Sequence, residues 1–199
     1  MQVRKTGIER RQEIALASLK IIGERGLTSL TTASLAEEVG VTTGALFRHF
    51  ASLNDILRES VRHAVERMEE TFPEDTLGPL ERLMMLARNR VSVLRSSPGL
   101  AWLLRSEQAY LTLPDDAVDA LRALVRRSRK YLLDAIRQGA ALGAIRDDIE
   151  PEVLLVPIMG TIHALAGMPG AHNLASRTDV AKREAVFAAL EKMITPQKL

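Results

Sequence analysis

Apolar residues recur along this chain at intervals of three and four, the spacing that lines one face of an α-helix, and no stretch alternates as a strand does. The first such run covers residues 8–25, where Ile14, Leu16, Ala17, Leu19, Ile21 and Ile22 supply the apolar positions. Gly26 then stops it, because glycine takes the backbone a helix end needs. Thr31 or Thr32 caps a short helix that ends at Gly40, and Thr42 or Thr43 starts a second one reaching Phe50. Ser52 opens a longer helix through Ile56, Leu57, Val61, Ala64, Val65 and Met68, which stops before Pro73. Further helices are predicted at 80–95, around 100–104, and at about 115–141, 151–167 and 179–194. The pattern predicts nine helices and no strand, an all-α fold.

Composition supports that reading and narrows the chemistry. Aromatics are only 4% of 199 residues, and Ala and Leu dominate the apolar set, which favours helix over sheet. There is no Cys, so a disulfide scaffold, thiolate-bound zinc, an iron–sulfur centre and a thiol nucleophile are all excluded, and a reducing, cytoplasmic setting fits. The four histidines, 49, 63, 163 and 172, lack metal-ligand spacing, so no metal or cofactor is expected. No GxSxG, P-loop or GxGxxG string occurs, and an enzyme is not expected. The N-terminus lacks the apolar core of a signal peptide. Residues 153–176 carry no charge but include Pro157, Gly160, His163, Gly167, Pro169 and Gly170, so they read as a helix at a subunit interface rather than a membrane span.

Residues 31–50, TTASLAEEVGVTTGALFRHF, hold the chemistry. Two short helices meet at Gly40, with Ala36 small enough to let them cross and Leu35, Val39, Val41 and Leu46 as their shared interior. That is the logic of a helix-turn-helix, whose second helix enters the DNA major groove. Thr42, Thr43, Gly44, Ala45, Phe47 and Arg48 would face the groove, and Arg48 has the donors to read guanine or hold a phosphate. Thr31, Thr32 and Ser52 stand at helix N-termini, where free N–H groups favour phosphate oxygens.

This segment resembles the DNA-binding domain of the TetR family of bacterial transcriptional regulators, in which the recognition helix commonly reads Gly, then Leu-Tyr, then His-Phe. Here the string is Gly44-Ala45-Leu46-Phe47-Arg48-His49-Phe50. The resemblance implies DNA contacts at Thr43 and Gly44 and phosphate contact at His49. Phe47 replaces the usual Tyr, turning a hydrogen bond into an apolar contact, and Leu53 stands where a phosphate-binding Lys is frequent. Residues 143–152, GAIRDDIEPE, resemble the turn that precedes the penultimate helix of this family. The implied architecture is a nine-helix TetR-like fold, with a DNA-binding domain at 1–53 and an effector-binding and dimerisation domain at 54–199.

The implied function is a homodimeric repressor of a palindromic double-stranded operator, released by a small apolar or amphipathic effector. Met84, Trp102, Tyr110 and His163 are the candidate pocket residues, with thioether, indole, phenol and imidazole as adaptable or polar handles. Pro157, Gly160, Ala164, Gly167, Ala185 and Ala189 are the candidate dimer interface, small enough for helices to approach closely. A rival reading keeps the DNA-binding domain but has the body bind a protein, as nucleoid-occlusion members of the family do. A basic run on the long helix, Arg122, Arg126, Arg127, Arg129 and Lys130, reads as a solvated face. The net charge of +2 lies entirely before residue 54, where seven Lys and Arg stand against five Asp and Glu, with twenty of each afterwards. Arg4, Lys5, Arg10 and Arg11 lead that domain and are placed to track phosphates, with a steep loss of non-specific binding in salt.

Overall fold

In a computed structural model, residues 6–167 and 180–196 are described, and among them every regular element is helical. Arg4, Lys5, Pro169, Gly170 and His172 lie outside them. The chain packs as two units, Met1–Glu69 with Ser96–Leu124, and Glu70–Arg95 with Val125–Leu199.

The first unit holds α1 (Gly7–Arg25), a 3-10 turn (Leu27–Ser29), α2 (Thr32–Val39), α3 (Thr43–Leu46), α4 (Leu53–Glu69), α6 (Pro98–Arg105), α7 (Glu107–Thr112) and the start of α8 (Asp115–Ala141). A capping box that the apolar pattern does not register begins α1: Thr6 Oγ1 accepts from Glu9 N at 3.2 Å, and the Glu9 carboxylate accepts from Thr6 N at 2.7 Å. The buried side of α1, Ile14, Ala15, Ile21 and Ile22 among others, packs with α2, α4 and α6. Where α1 meets α6 the backbones touch. A Cβ on Gly99 would stand 1.8 Å from the Leu19 carbonyl oxygen, and one on Gly23 would stand 2.4 Å from Gly99 N. Glycine is the residue that lets these two helices lie so close.

The second unit contains α5 (Pro79–Ser96, all but its last residue), the rest of α8, α9 (Pro151–Leu165) and α10 (Val180–Ile194). Leu83, Leu86, Leu132, Ile136, Ile158 and Phe187 belong to its single apolar core. Phe72 packs edge-on against Tyr131, ring centroids 5.0 Å apart, and carries the guanidinium groups of Arg90 and Arg127 at 4.8 and 4.9 Å. The basic run of α8 is exposed, as a solvated face should be. The turn after α8 has a structural role: Gly143 takes positive φ, Arg146 N donates to Ile194 O at 2.8 Å, and Arg146 Nη1 donates to Met193 O at 3.2 Å. A bidentate Asp148 holds that guanidinium, so the GAIRD turn supplies a cation and two donors to the end of α10.

The described residues hold ten α-helices where the sequence predicts nine. The additional one, α7, is a six-residue segment between Ser106 and the extended Leu113 that precedes Pro114, too short to show a period. The second helix of the helix-turn-helix is shorter than predicted, since α3 ends at Leu46 and turns carry the chain through His49 to Phe50. No described helix is long and apolar enough to cross a membrane.

Candidate nucleic-acid interface

Side-chain caps fix both helices of the 31–50 segment. Thr31 Oγ1 accepts from Ser34 N, and Ser34 Oγ accepts from Thr31 N, each at 3.0 Å. At the far end of α2, Gly40 adopts left-handed backbone (φ 72°, ψ 38°). Gly40 N donates to Glu37 O and Val41 N to Ala36 O, at 3.1 and 2.9 Å, the paired bonds of a Schellman stop. Two residues later Thr42 Oγ1 accepts from Ala45 N at 3.2 Å and starts α3. Leu35 and Leu46 are fully buried, and Ala36 lies between the helices as the sequence implies. Val39 and Val41 are only half-buried, because the glycine stop brings them to the edge of the contact.

The exposed surface left by this packing is Thr42, Thr43, Gly44, Phe47 and Arg48, with Ala45 half-buried beside them. Arg48 has no ion-pair or side-chain hydrogen-bond partner among the described residues, so its guanidinium is free to donate. A Cβ on Gly44 would meet nothing within 4 Å. Thr42 Oγ1 accepts a bond from the helix and donates none of its own among the described residues. Thr31 is exposed, and Thr32, His49 and Ser52 are half-buried. Ser52 Oγ accepts from Asp55 N at 3.2 Å and donates to the Asp55 carboxylate at 2.9 Å, so its proton is already placed.

The segment is braced from α1 and α4. Arg11 donates to the His49 carbonyl, stacks 4.1 Å from the centre of the Phe50 ring, and pairs with Glu59 at 3.3 Å. Arg10 pairs with Glu13 at 2.7 Å. These two arginines, expected to track phosphates, make their contacts here with groups of the protein itself. The brace that Arg11 makes was missed by sequence reasoning, since its partners lie 38 and 48 residues away. Lys20 holds Glu38 at 2.6 Å and thereby ties α1 to α2.

Carboxylates around the brace titrate below their ordinary values. Asp55 is lowered chiefly by the Ser52 hydroxyl, and Glu59 chiefly by Arg62 with help from Arg11. Arg58 joins Asp55 at 2.9 Å to Asp116, which its Nε meets at 3.0 and 2.9 Å.

The four candidate pocket residues do not fall in one unit. Trp102 and Tyr110 are half-buried on α6 and α7 of the first. Met84 belongs to the packed core of the second, and His163 is half-buried on α9.

Residues 14–59 match the model of a family described as bacterial regulatory proteins, tetR family. Among curated relatives, the HTH-type transcriptional repressor AcnR of Corynebacterium diphtheriae is 28% identical over 152 residues, 73% of either chain. The nucleoid occlusion factor SlmA of Vibrio campbellii is 27% identical, covering 77% of this chain and 80% of its own. Among solved structures, the ketosteroid transcriptional regulator KstR2 of Mycobacterium tuberculosis superposes over 98% of both chains with a TM-score of 0.78 at 20% identity. AibR, solved with isovaleryl coenzyme A and operator DNA, covers 95% of this chain and 100% of its own with a TM-score of 0.76 at 18% identity. With the glycine-stopped helix pair, these matches show a DNA-binding segment of the TetR family at residues 14–59, in a chain that has the all-helical fold of TetR-family regulators.

Proposed function

We propose that this regulator is a repressor that binds a palindromic operator as a homodimer and lets go when an amphipathic acyl ligand occupies its body. The observation that carries the DNA reading is the exposed face of α3. Its capped start, its free guanidinium and a glycine with no neighbour in the chain form a surface with nothing of its own to pack against. Thr31, Thr32, Thr42, Thr43, Gly44, Ala45, Phe47, Arg48, His49 and Ser52 form the contact set, with Arg48 reading base or phosphate and backbone N–H groups at the caps meeting phosphates. The DNA-binding role is assigned to residues 1–53 and the ligand and dimer roles to 54–199.

The second unit supports dimerisation. Pro157, Gly160 and Gly167 on and just beyond α9, and Ala185 and Ala189 on α10, are exposed, with Ala164 half-buried. Val153, Val156 and Met193 add large exposed apolar side chains to the same two helices, which pack on each other. A surface of small and apolar residues of this kind suits self-association through a two-fold axis, which also pairs two recognition helices for a palindrome. The isovaleryl coenzyme A held by AibR supports the acyl thioester class of effector. The likeness to a nucleoid occlusion factor keeps a protein partner as the second reading.

Fluorescence anisotropy with duplexes from the DNA flanking its own gene tests this reading. Arg48→Ala and Thr43→Ala are expected to weaken binding by about 1–3 kcal/mol each while leaving the helical spectrum intact. Unchanged affinity in both variants would remove the residue assignment. Release of operator by a small ligand excludes the second reading.

A further inference from the structure

We propose that Arg105, in the last turn of α6, receives the oxyanion of the effector, a phosphate or carboxylate oxygen of an acyl ligand. This deepens the ligand-responsive reading above and rests on it.

Arg105 is half-buried, and among the described residues its guanidinium makes one hydrogen bond, from Nε to the Ala101 carbonyl of its own helix at 2.9 Å. Its Nη1 is shielded from solvent and meets no protein acceptor. No Asp or Glu lies within ion-pair distance of it among the described residues. Four other cations of this unit behave differently: Arg11, Arg58, Arg62 and Lys20 each reach a carboxylate, whereas Arg48, also unpaired, stands exposed. Burial alone acts on the Arg105 guanidinium, lowering its proton affinity from the ordinary arginine value. Arginine keeps its charge in proteins, and a charge partly withdrawn from water without a counter-ion gains when an anion joins it. The planar fork of Arg matches the paired oxygens of a carboxylate or phosphate.

Two neighbours give the site its shape and its consequence. Trp102 sits three residues earlier, on the same face of α6, and offers an apolar wall with an indole N–H. Gly99, at the other end of this eight-residue helix, lies against the backbone of α1. The helix that would hold the anion is thus fixed by backbone contact to the helix whose Arg11 braces His49 and Phe50. An anion that shifts α6 acts on the recognition segment through rigid neighbours, which is what coupled binding of ligand and operator requires.

The test uses the full chain, an operator duplex, and four probes: isovaleryl-CoA, stearoyl-CoA, isovalerate and stearate. At least one probe is expected to raise the thermal midpoint of the wild type and weaken its hold on the operator. Arg105→Met should bind that probe about 10- to 100-fold more weakly, with Arg105→Lys between the two. Without ligand, Arg105→Met should bind operator as the wild type does and unfold at the same or a higher temperature. A response to the thioesters alone assigns the phosphate, and a response to the free acids alone assigns the carboxylate. The proposal is overturned if Arg105→Met binds the probe like the wild type, if that variant melts lower without ligand, or if no probe affects the wild type. Failure of the unliganded wild type to hold any operator overturns the repressor reading itself, and this inference with it.

Discussion

The seam between α1 and α6 and the exposed start of α3 lie in the same unit, and each puts a glycine inside a helix. A glycine in a helix interior costs about 1 kcal/mol relative to alanine and less in the first turn, where both of these stand, so the surroundings of each decide what it does. At Gly99 the reason is internal, since a Cβ would press into the Leu19 carbonyl, and backbone cannot step aside as a flexible side chain can. At Gly44 no other part of the chain approaches, so nothing inside the molecule calls for a glycine there. One glycine sits in a seam of the unit, and the other lies on an open face. Glycine content alone would never separate them, whereas the space around the missing Cβ does.

Three experiments bear on this contrast. The largest effect is expected from Gly99→Ala, which should lower unfolding free energy in urea by about 3 kcal/mol or more, because the helices must separate. A variant as stable as the wild type would show that the seam has slack. Gly44→Ala should leave stability unchanged or raise it by up to about 1 kcal/mol, while operator affinity falls by roughly tenfold, since the added methyl enters the protein–DNA contact. Equal affinity would mean that the groove does not require a glycine. The smallest effect concerns acid. Asp55 and Glu59 titrate below their ordinary values when folded, so their contribution is present above the usual carboxylate range and is lost as pH falls through their depressed values. The thermal midpoint should be flat from neutral down to about pH 5 and decline below roughly pH 4, less steeply in Asp55→Asn. An identical decline in that variant would show the Ser52–Asp55–Arg58 link to be incidental.

Much of the interface was legible in the sequence because its determinants are local. Thr31, Gly40 and Thr42 act on groups within five residues of themselves, and the helix bounds they imply fall within a residue of those observed. The end of α3 was misjudged, since Phe47 to Phe50 continue an apolar spacing that a turn satisfies equally well. Long-range pairings left no trace. Arg11 looks like any basic residue near an N-terminus until Glu59 and the His49 carbonyl are brought to it. Gly99, next to Pro98, reads as punctuation before a helix, and only the approach of Leu19 gives it a purpose. The cap at Thr6 was legible in principle, with Glu9 three residues on, but the apolar face starts later and drew the boundary inward.

The Gly23–Gly99 seam has a consequence for genetics. Every coding change at either codon adds at least a β-carbon, and the atoms it meets are mainly backbone, which no second-site substitution can trim. A screen for derepressed mutants should therefore return Gly99 alleles beside Arg48 alleles, although position 99 contributes nothing to the face of α3. The two classes would part on abundance: Arg48 variants accumulate as full-length protein, whereas Gly99 variants are cleared by proteolysis and resist intragenic suppression.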